Sequence, residues 1–122
     1  MRLLWPLERA VLGAVARAYP GSTRAIERQS ATARVTHFEN SGVGFFSNLT
    51  VDPDETLITG PTPLDAGHGW VDGVQELMGF LVFLEGGRLS MIEGYCYAGG
   101  TEGLNFANAA FQLIPLERLP NP

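Results

Sequence analysis

Apolar residues return at helical spacing near the start of the chain. Leu7, Val11, Ala14, Val15 and Ala18 fall on one stripe of a helix spanning residues 6–19. Pro6 suits the first turn, where its missing N–H costs nothing. Glu8 near the start and Arg17 near the end match the helix dipole, and Pro20-Gly21 stops the helix. Ser22 is placed to cap a second, shorter helix. On that helix Ala25, Ile26, Gln29 and Ala33 share one face, while Arg24, Glu27 and Arg28 face outward with Arg24 and Glu27 at pairing distance.

The period changes from helical to alternating near Arg34. Residues 34–39 are β-prone, and Asn40-Ser41-Gly42 marks a turn. Over residues 43–51 the alternation sets Val43, Phe45, Ser47, Leu49 and Val51 on one side and Phe46 on the other. Asp52-Pro53-Asp54-Glu55 reads as a turn, followed by a short strand over 56–59. The stretch from Gly60 to Gly69 holds two prolines and three glycines and reads as a long loop. Residues 70–74 form a further strand candidate. The unbroken apolar run from Gly79 to Leu84 fits a central strand buried on both faces. Glu85-Gly86-Gly87-Arg88 is the clearest hairpin turn in the chain. The returning strand, residues 89–97, places Leu89, Met91, Glu93, Tyr95 and Tyr97 on one face and Ser90, Ile92, Gly94 and Cys96 on the other. A helical turn over 105–110 and a last strand over 111–115 complete the pattern.

Helices followed by a run of strands predict an α+β fold: two N-terminal helices packed on one face of an antiparallel sheet of about five strands, arranged as a meander. The 122 residues suit a single domain spanning 1–122, and 45% apolar content supports a packed core.

Charge adds a second layer. The net charge is −5, and every basic residue is an arginine, which fits codon bias in a GC-rich genome. Residues 1–40 carry six arginines against three carboxylates, whereas residues 41–122 carry two against ten. An acidic chain repels phosphate backbones, so nucleic acid is not an expected partner. The imbalance is either ordinary solubility charge or an acidic face that steers toward a basic protein. Cys96 stands alone, so no intramolecular disulfide forms. Pro6, Glu8 and Arg9 interrupt the apolar start, leaving no signal peptide or membrane span and pointing to a cytoplasmic protein.

Candidate chemistry is sparse. His37 and His68 fit no metal-binding spacing. Asp65, His68, Asp72 and Glu76 would share a face on a helix, but Gly67, Gly69 and Gly73 argue against a helix there, and a solvated loop is the plainer reading. No metal or cofactor is expected. His37, beside Val35 and Phe38, reads as a hydrogen-bonded strand histidine. Cys96, between Tyr95 and Tyr97, reads as a small buried hydrophobe and not a nucleophile. There is no Gly-x-Ser-x-Gly elbow, and Gly42-Val43-Gly44 lacks the rest of a phosphate loop. Glu93 is the most informative residue: a carboxylate buried on its strand would favour the neutral form unless paired, which suits either acid–base work or a structural hydrogen bond. Trp70, Tyr95 and Tyr97 would be interface anchors if exposed and core residues if not.

Gly42-Val43-Gly44-Phe45-Phe46 together with the run from Gly79 to Tyr97, containing Gly86-Gly87 and Leu89-Ser90-Met91-Ile92-Glu93-Gly94-Tyr95, resembles a group of small bacterial proteins. Those proteins share a Gly-Val-Gly-Phe-Phe block after a helical start, then an apolar strand, a glycine turn and a strand ending in aromatics. The resemblance spans about residues 7–97. It implies no activity and carries over no functional residue.

Two expectations follow. The first is a protein–protein interaction module of immunity or inhibitor type for a basic partner, with Glu93, Tyr95, Tyr97, Trp70, His68 and His37 as candidate binding residues. The second is a small-molecule binder or enzyme using a pocket between sheet and helices, with Glu93, His37 or His68 on its rim. A homodimer through sheet edges is compatible with both.

Overall fold

The protein, described here from a computed structural model, is defined over residues 1–114. It folds as two helices on a six-stranded antiparallel sheet. Helix α1 spans Pro6–Ala18 and α2 spans Thr23–Thr32, joined by a short 3-10 turn over Pro20–Ser22. The strands are β1 Arg34–Asn40, β2 Gly44–Thr50, β3 Leu64–Val71, β4 Met78–Glu85, β5 Arg88–Cys96 and β6 Phe111–Ile114. Pro115, the expected end of the last strand, lies outside the described residues. Among the described residues no helix is long and apolar enough to cross a membrane.

The spatial order is β1-β2-β5-β4-β3-β6, with every neighbouring pair antiparallel. This corrects the expected meander. The β1–β2 hairpin docks on β5, and the connection after β2 passes across β5 and β4 before entering β3. The short strand expected over 56–59 is instead irregular, although Ile58 is buried and its N–H donates to the Gly87 carbonyl at 2.8 Å. Residues 105–110 form turns and bends, not a helical turn. The strand expected over 70–74 ends at Val71, and most of the expected 60–69 loop belongs to β3.

Both helices cover one face of the sheet. Leu7, Val11, Leu12 and Val15 of α1 and Ile26 of α2 are nearly inaccessible, as are Phe45, Leu64, Met78, Phe80, Val82 and Ile92 below them. This layer is the core. Gln29 pins α2 to the sheet: its Nε2 donates to the carbonyls of Thr56 and Gly87, and its Oε1 accepts from the Leu89 N–H. A fully buried amide thereby satisfies three backbone groups. Ser22 sits at the start of α2, but its hydroxyl donates to the Thr59 carbonyl and does not cap the helix. Among the described residues Arg24 and Glu27 form no ion pair; the one salt bridge there joins Arg2 to Glu8.

That salt bridge anchors the start of the chain. The Glu8 carboxylate, 1% exposed, receives both Arg2 Nη atoms at 2.8 and 2.9 Å, the Trp5 N–H at 2.7 Å and the Ser47 hydroxyl. The Trp5 contact is the N3 half of a capping box. The Arg2 guanidinium also lies 3.3 Å from the centre of the Trp5 ring. Arg2 exchanges two backbone hydrogen bonds with Val35, covering part of the β1 edge.

Candidate functional site

The sheet face opposite the helices is covered by no described element. Register identifies its residues, because partners directly opposite in an antiparallel pair share a face. One row across five strands reads Asp65, Leu81, Glu93, Phe46, Glu39 on β3, β4, β5, β2 and β1. The row beside it reads Ile114, His68, Gly79, Tyr95, Gly44. On the other side run Phe83, Met91, Asn48 and His37. Trp70 pairs with Gln112 near one end. All six candidate residues, Glu93, Tyr95, Tyr97, Trp70, His68 and His37, therefore lie on this one face.

Burial agrees with the register. Phe45, Ser47 and Leu49 are buried on the helix side of β2, while Phe46 is half-buried and Asn48 exposed. On β5, Ile92 and Gly94 are buried, while Met91, Glu93 and Tyr95 are partly accessible. Trp70 and Tyr97 are 52% and 53% exposed, too much for core residues. Leu89 departs from the expected face. A register shift between Phe83 and Leu84 sets Leu89 opposite Leu84, turning it into the core at 2% exposure. Strand β4 is central as expected but not buried on both faces: Phe80 and Val82 are inaccessible, whereas Leu81 and Phe83 retain access to solvent. Val43 precedes β2 and is exposed, so it leaves the stripe that Phe45 begins.

A bulge in β3 brings His68 to this face. Asp65 pairs with Leu81, and His68 pairs with Gly79, so Ala66 and Gly67 together oppose one residue of β4. Gly67 adopts φ +80°, the left-handed region a side chain rarely occupies, and its N–H is held by Asp65 Oδ1 at 2.8 Å. Without the extra residue His68 would point into the core.

The result is a cluster of three rings. His68 Nε2 and the Tyr97 hydroxyl share a hydrogen bond of 2.5 Å, and the hydroxyls of Tyr97 and Tyr95 are 3.5 Å apart. The Tyr95 and Tyr97 rings meet edge to face, with centroids 5.5 Å apart and planes at 78°. Tyr95 lies across Gly79, where a Cβ would fall 2.3 Å from the phenol ring. The Tyr95 hydroxyl is pushed up to about 12 by the bond to Tyr97, by burial, and by the negative fields of Tyr97, Asp65 and Glu93.

Among the described residues no set of three or more histidine, cysteine, aspartate or glutamate side chains is gathered to hold a metal ion. Asp65 and His68 lie in β3, not in the solvated loop expected there, and no helix brings them onto one face with Asp72 and Glu76. Cys96 is half-buried beside Met78, and burial pushes its thiol up, away from a reactive thiolate. Glu93 stands on the side of the sheet away from the helices, so it does not line the space between sheet and helices. His37 is exposed at the far edge, four strands from His68 in the sheet order. The arrangement presents apolar and aromatic surface with carboxylates set between, and it holds one hydroxyl–imidazole pair, Tyr97 with His68.

No family model, curated protein or solved structure matches this chain. The blocks that carry the resemblance noted above are nonetheless neighbours in the sheet: Gly44 pairs with Tyr95, Phe45 with Gly94 and Phe46 with Glu93. Packing fixes this pairing closely. A Cβ on Gly94 would strike the Phe45 ring at 2.3 Å, and one on Gly44 would strike the Gly94 carbonyl.

Sequence reasoning missed two features. Glu8 appeared as a helix-dipole residue, yet it is the buried centre of the Arg2 and Ser47 contacts. Thr101, 1% exposed, also escaped notice; it donates to Asn40 Oδ1 at 2.7 Å and accepts from the Gly44 N–H, tying the loop after β5 to the β1–β2 turn. No capping signature marked the first, because Trp5 stands where a Ser or Thr would announce a capping box; nothing local marked the second.

Proposed function

We propose that the protein is a cytoplasmic interaction module that docks a basic protein partner on its open sheet face, in the manner of an immunity protein or inhibitor. The observation that carries this reading is the row Asp65-Leu81-Glu93-Phe46-Glu39. Carboxylates stand on every second strand, about 10 Å apart at the usual strand spacing, with apolar side chains between them. Rings and aliphatic groups on both sides of the row supply area, and Tyr and Trp are the residues that most often anchor interfaces. Arg34 and Arg88 stand toward one end of the face and donate to the carbonyls of Ala33 and Pro53, leaving the central carboxylates without an arginine partner among the described residues. Such a surface steers a basic protein and disfavours a second copy of itself, because carboxylate rows would meet.

The test is affinity capture from native lysate by three proteins: wild type, Glu93→Lys and Glu27→Lys. Glu27 lies on the exposed side of α2. The expected result is a basic partner held by wild type and Glu27→Lys, weakened by salt, and lost by Glu93→Lys. Retention by Glu93→Lys with loss by Glu27→Lys would move the interface to the helices and overturn the reading.

A further inference from the structure

Tyr95 and Tyr97 meet edge to face and form a corner on this sheet face. The geometry points to an arginine-anchoring subsite there: a guanidinium of the basic partner stacks on the Tyr95–Tyr97 corner and is held by Glu93 and Asp65. This inference rests on the docking face proposed above and names the side chain it would select.

Four observations converge. Tyr95 and Tyr97 present rings at 78° to each other, with Tyr97 53% exposed, so a flat cation has one face to stack on and one edge to meet. Tyr97 is held from its other side by His68, and Tyr95 is seated over Gly79, so neither ring is free to swing over the corner. Glu93 lies two residues before Tyr95 on the same strand face, and Asp65 sits two strands away across Leu81. The charges of both carboxylates add to the upward push on the Tyr95 hydroxyl.

The fourth observation is internal. This chain already holds one arginine by the same two kinds of group: Arg2 lies 3.3 Å over the Trp5 ring while both of its Nη atoms bond to Glu8. Ring face plus carboxylate is a guanidinium pattern. Arginine is planar, weakly hydrated and able to stack while its fork engages a carboxylate; the lysine ammonium is a strongly hydrated point charge that does neither at once. The Tyr95–Tyr97 corner, with Glu93 and Asp65 on the same sheet face, brings the same two kinds of group together at the surface. An adjoining apolar strip of Leu81, Phe46 and Phe83 would cover the stem of the incoming residue.

The experiment uses two probes of equal charge, N-acetyl octa-arginine amide and N-acetyl octa-lysine amide, titrated into the full-length protein at low salt. Affinity is read by calorimetry and position by backbone amide shifts. Octa-arginine is expected to bind about two- to fivefold tighter than octa-lysine, the range of an exposed cation–π contact, with the largest shifts at Glu93, Tyr95 and Tyr97. Tyr97→Leu should bring the ratio of the two affinities close to one. Glu93→Gln should weaken both peptides, and Glu27→Gln neither; thermal melts confirm that each variant is folded. Equal affinity of the two peptides for wild type, with Glu93→Gln still weakening both, would overturn the arginine subsite and leave the acidic docking face standing. Shifts confined to the helices, with Glu93→Gln without effect, would overturn both. A sedimenting dimer that protects Tyr97 in the absence of peptide would also overturn the subsite, because the corner would then belong to a second copy.

Discussion

Glu8 shows how one residue can tie the start of the chain to the middle of the sheet. Its carboxylate is almost inaccessible, and its four hydrogen bonds come from Arg2, Trp5 and Ser47. Removing one partner of a buried ion pair leaves the other charge uncompensated, so Arg2→Met should cost about 3 kcal/mol in urea denaturation. Ser47→Ala, which removes a single bond to the same carboxylate, should cost about 1–3 kcal/mol. Tyr95 offers a different test. Its hydroxyl ionises at about 12 when folded, against about 10 in an unfolded chain. Between these values the folded state retains a proton that the unfolded state has lost. The stability this contributes is intact below about pH 10 and is lost as pH climbs toward 12. The urea midpoint should therefore fall with pH across that window, and fall less steeply in Tyr95→Phe; equal slopes would contradict the environment described for Tyr95. At this scale the sequence was partly legible. The alternation of β5 correctly grouped Glu93, Tyr95 and Tyr97. It could not say which face met the helices, because Ile92 and Met91 are both apolar and that choice is made by α1 and α2 packing elsewhere.

At the level of elements, glycines decide the geometry where the chain must leave the regular ladder. Gly86 and Gly87 have φ of +58° and +80° and close the β4–β5 hairpin, as the Gly-Gly pair predicted. The Gly67 bulge was not legible. Two prolines and three glycines between residues 60 and 69 look like a loop, yet Leu64, Ala66 and Val71 are buried β3 residues, and the glycines serve a bulge and a close approach. Gly69, for example, faces the Leu113 side chain of β6, where a Cβ would lie 2.6 Å away. Gly67→Ala should cost about 1–2 kcal/mol from the left-handed backbone alone and should weaken the His68–Tyr97 contact, visible as a changed His68 imidazole signal. Gln29 was placed correctly on the inner stripe of α2, and its role follows from burial: Gln29→Leu would orphan the Leu89 N–H and the Thr56 carbonyl, while the Gly87 carbonyl would keep the Ile58 N–H. A loss of about 2–4 kcal/mol is expected by thermal or urea unfolding. A change within 0.5 kcal/mol would mean that these groups find other partners.

For the whole molecule, the fold class was legible and the strand order was not. Helical spacing followed by alternation is a local property, and it yields two helices and a sheet. The docking of the β1–β2 hairpin on β5 is set by distant packing, such as Phe45 against Gly94, that no local pattern encodes. The same limit applies to the candidate site. Its six residues were individually visible, but their assembly on one sheet face depends on the β3 bulge and on the side the helices choose. Charge joins the scales. A molecule of net charge −5 that carries a row of carboxylates across its open face should bind a basic protein faster at low salt, with a rate that falls as salt rises. The most direct test of that central claim is hydroxyl-radical footprinting of the protein alone and bound to its captured partner. Protection concentrated on Trp70, Met91, Tyr95 and Tyr97 is the predicted result. Protection of α1 and α2 with those four residues unchanged would contradict the assignment of the open sheet face as the docking surface.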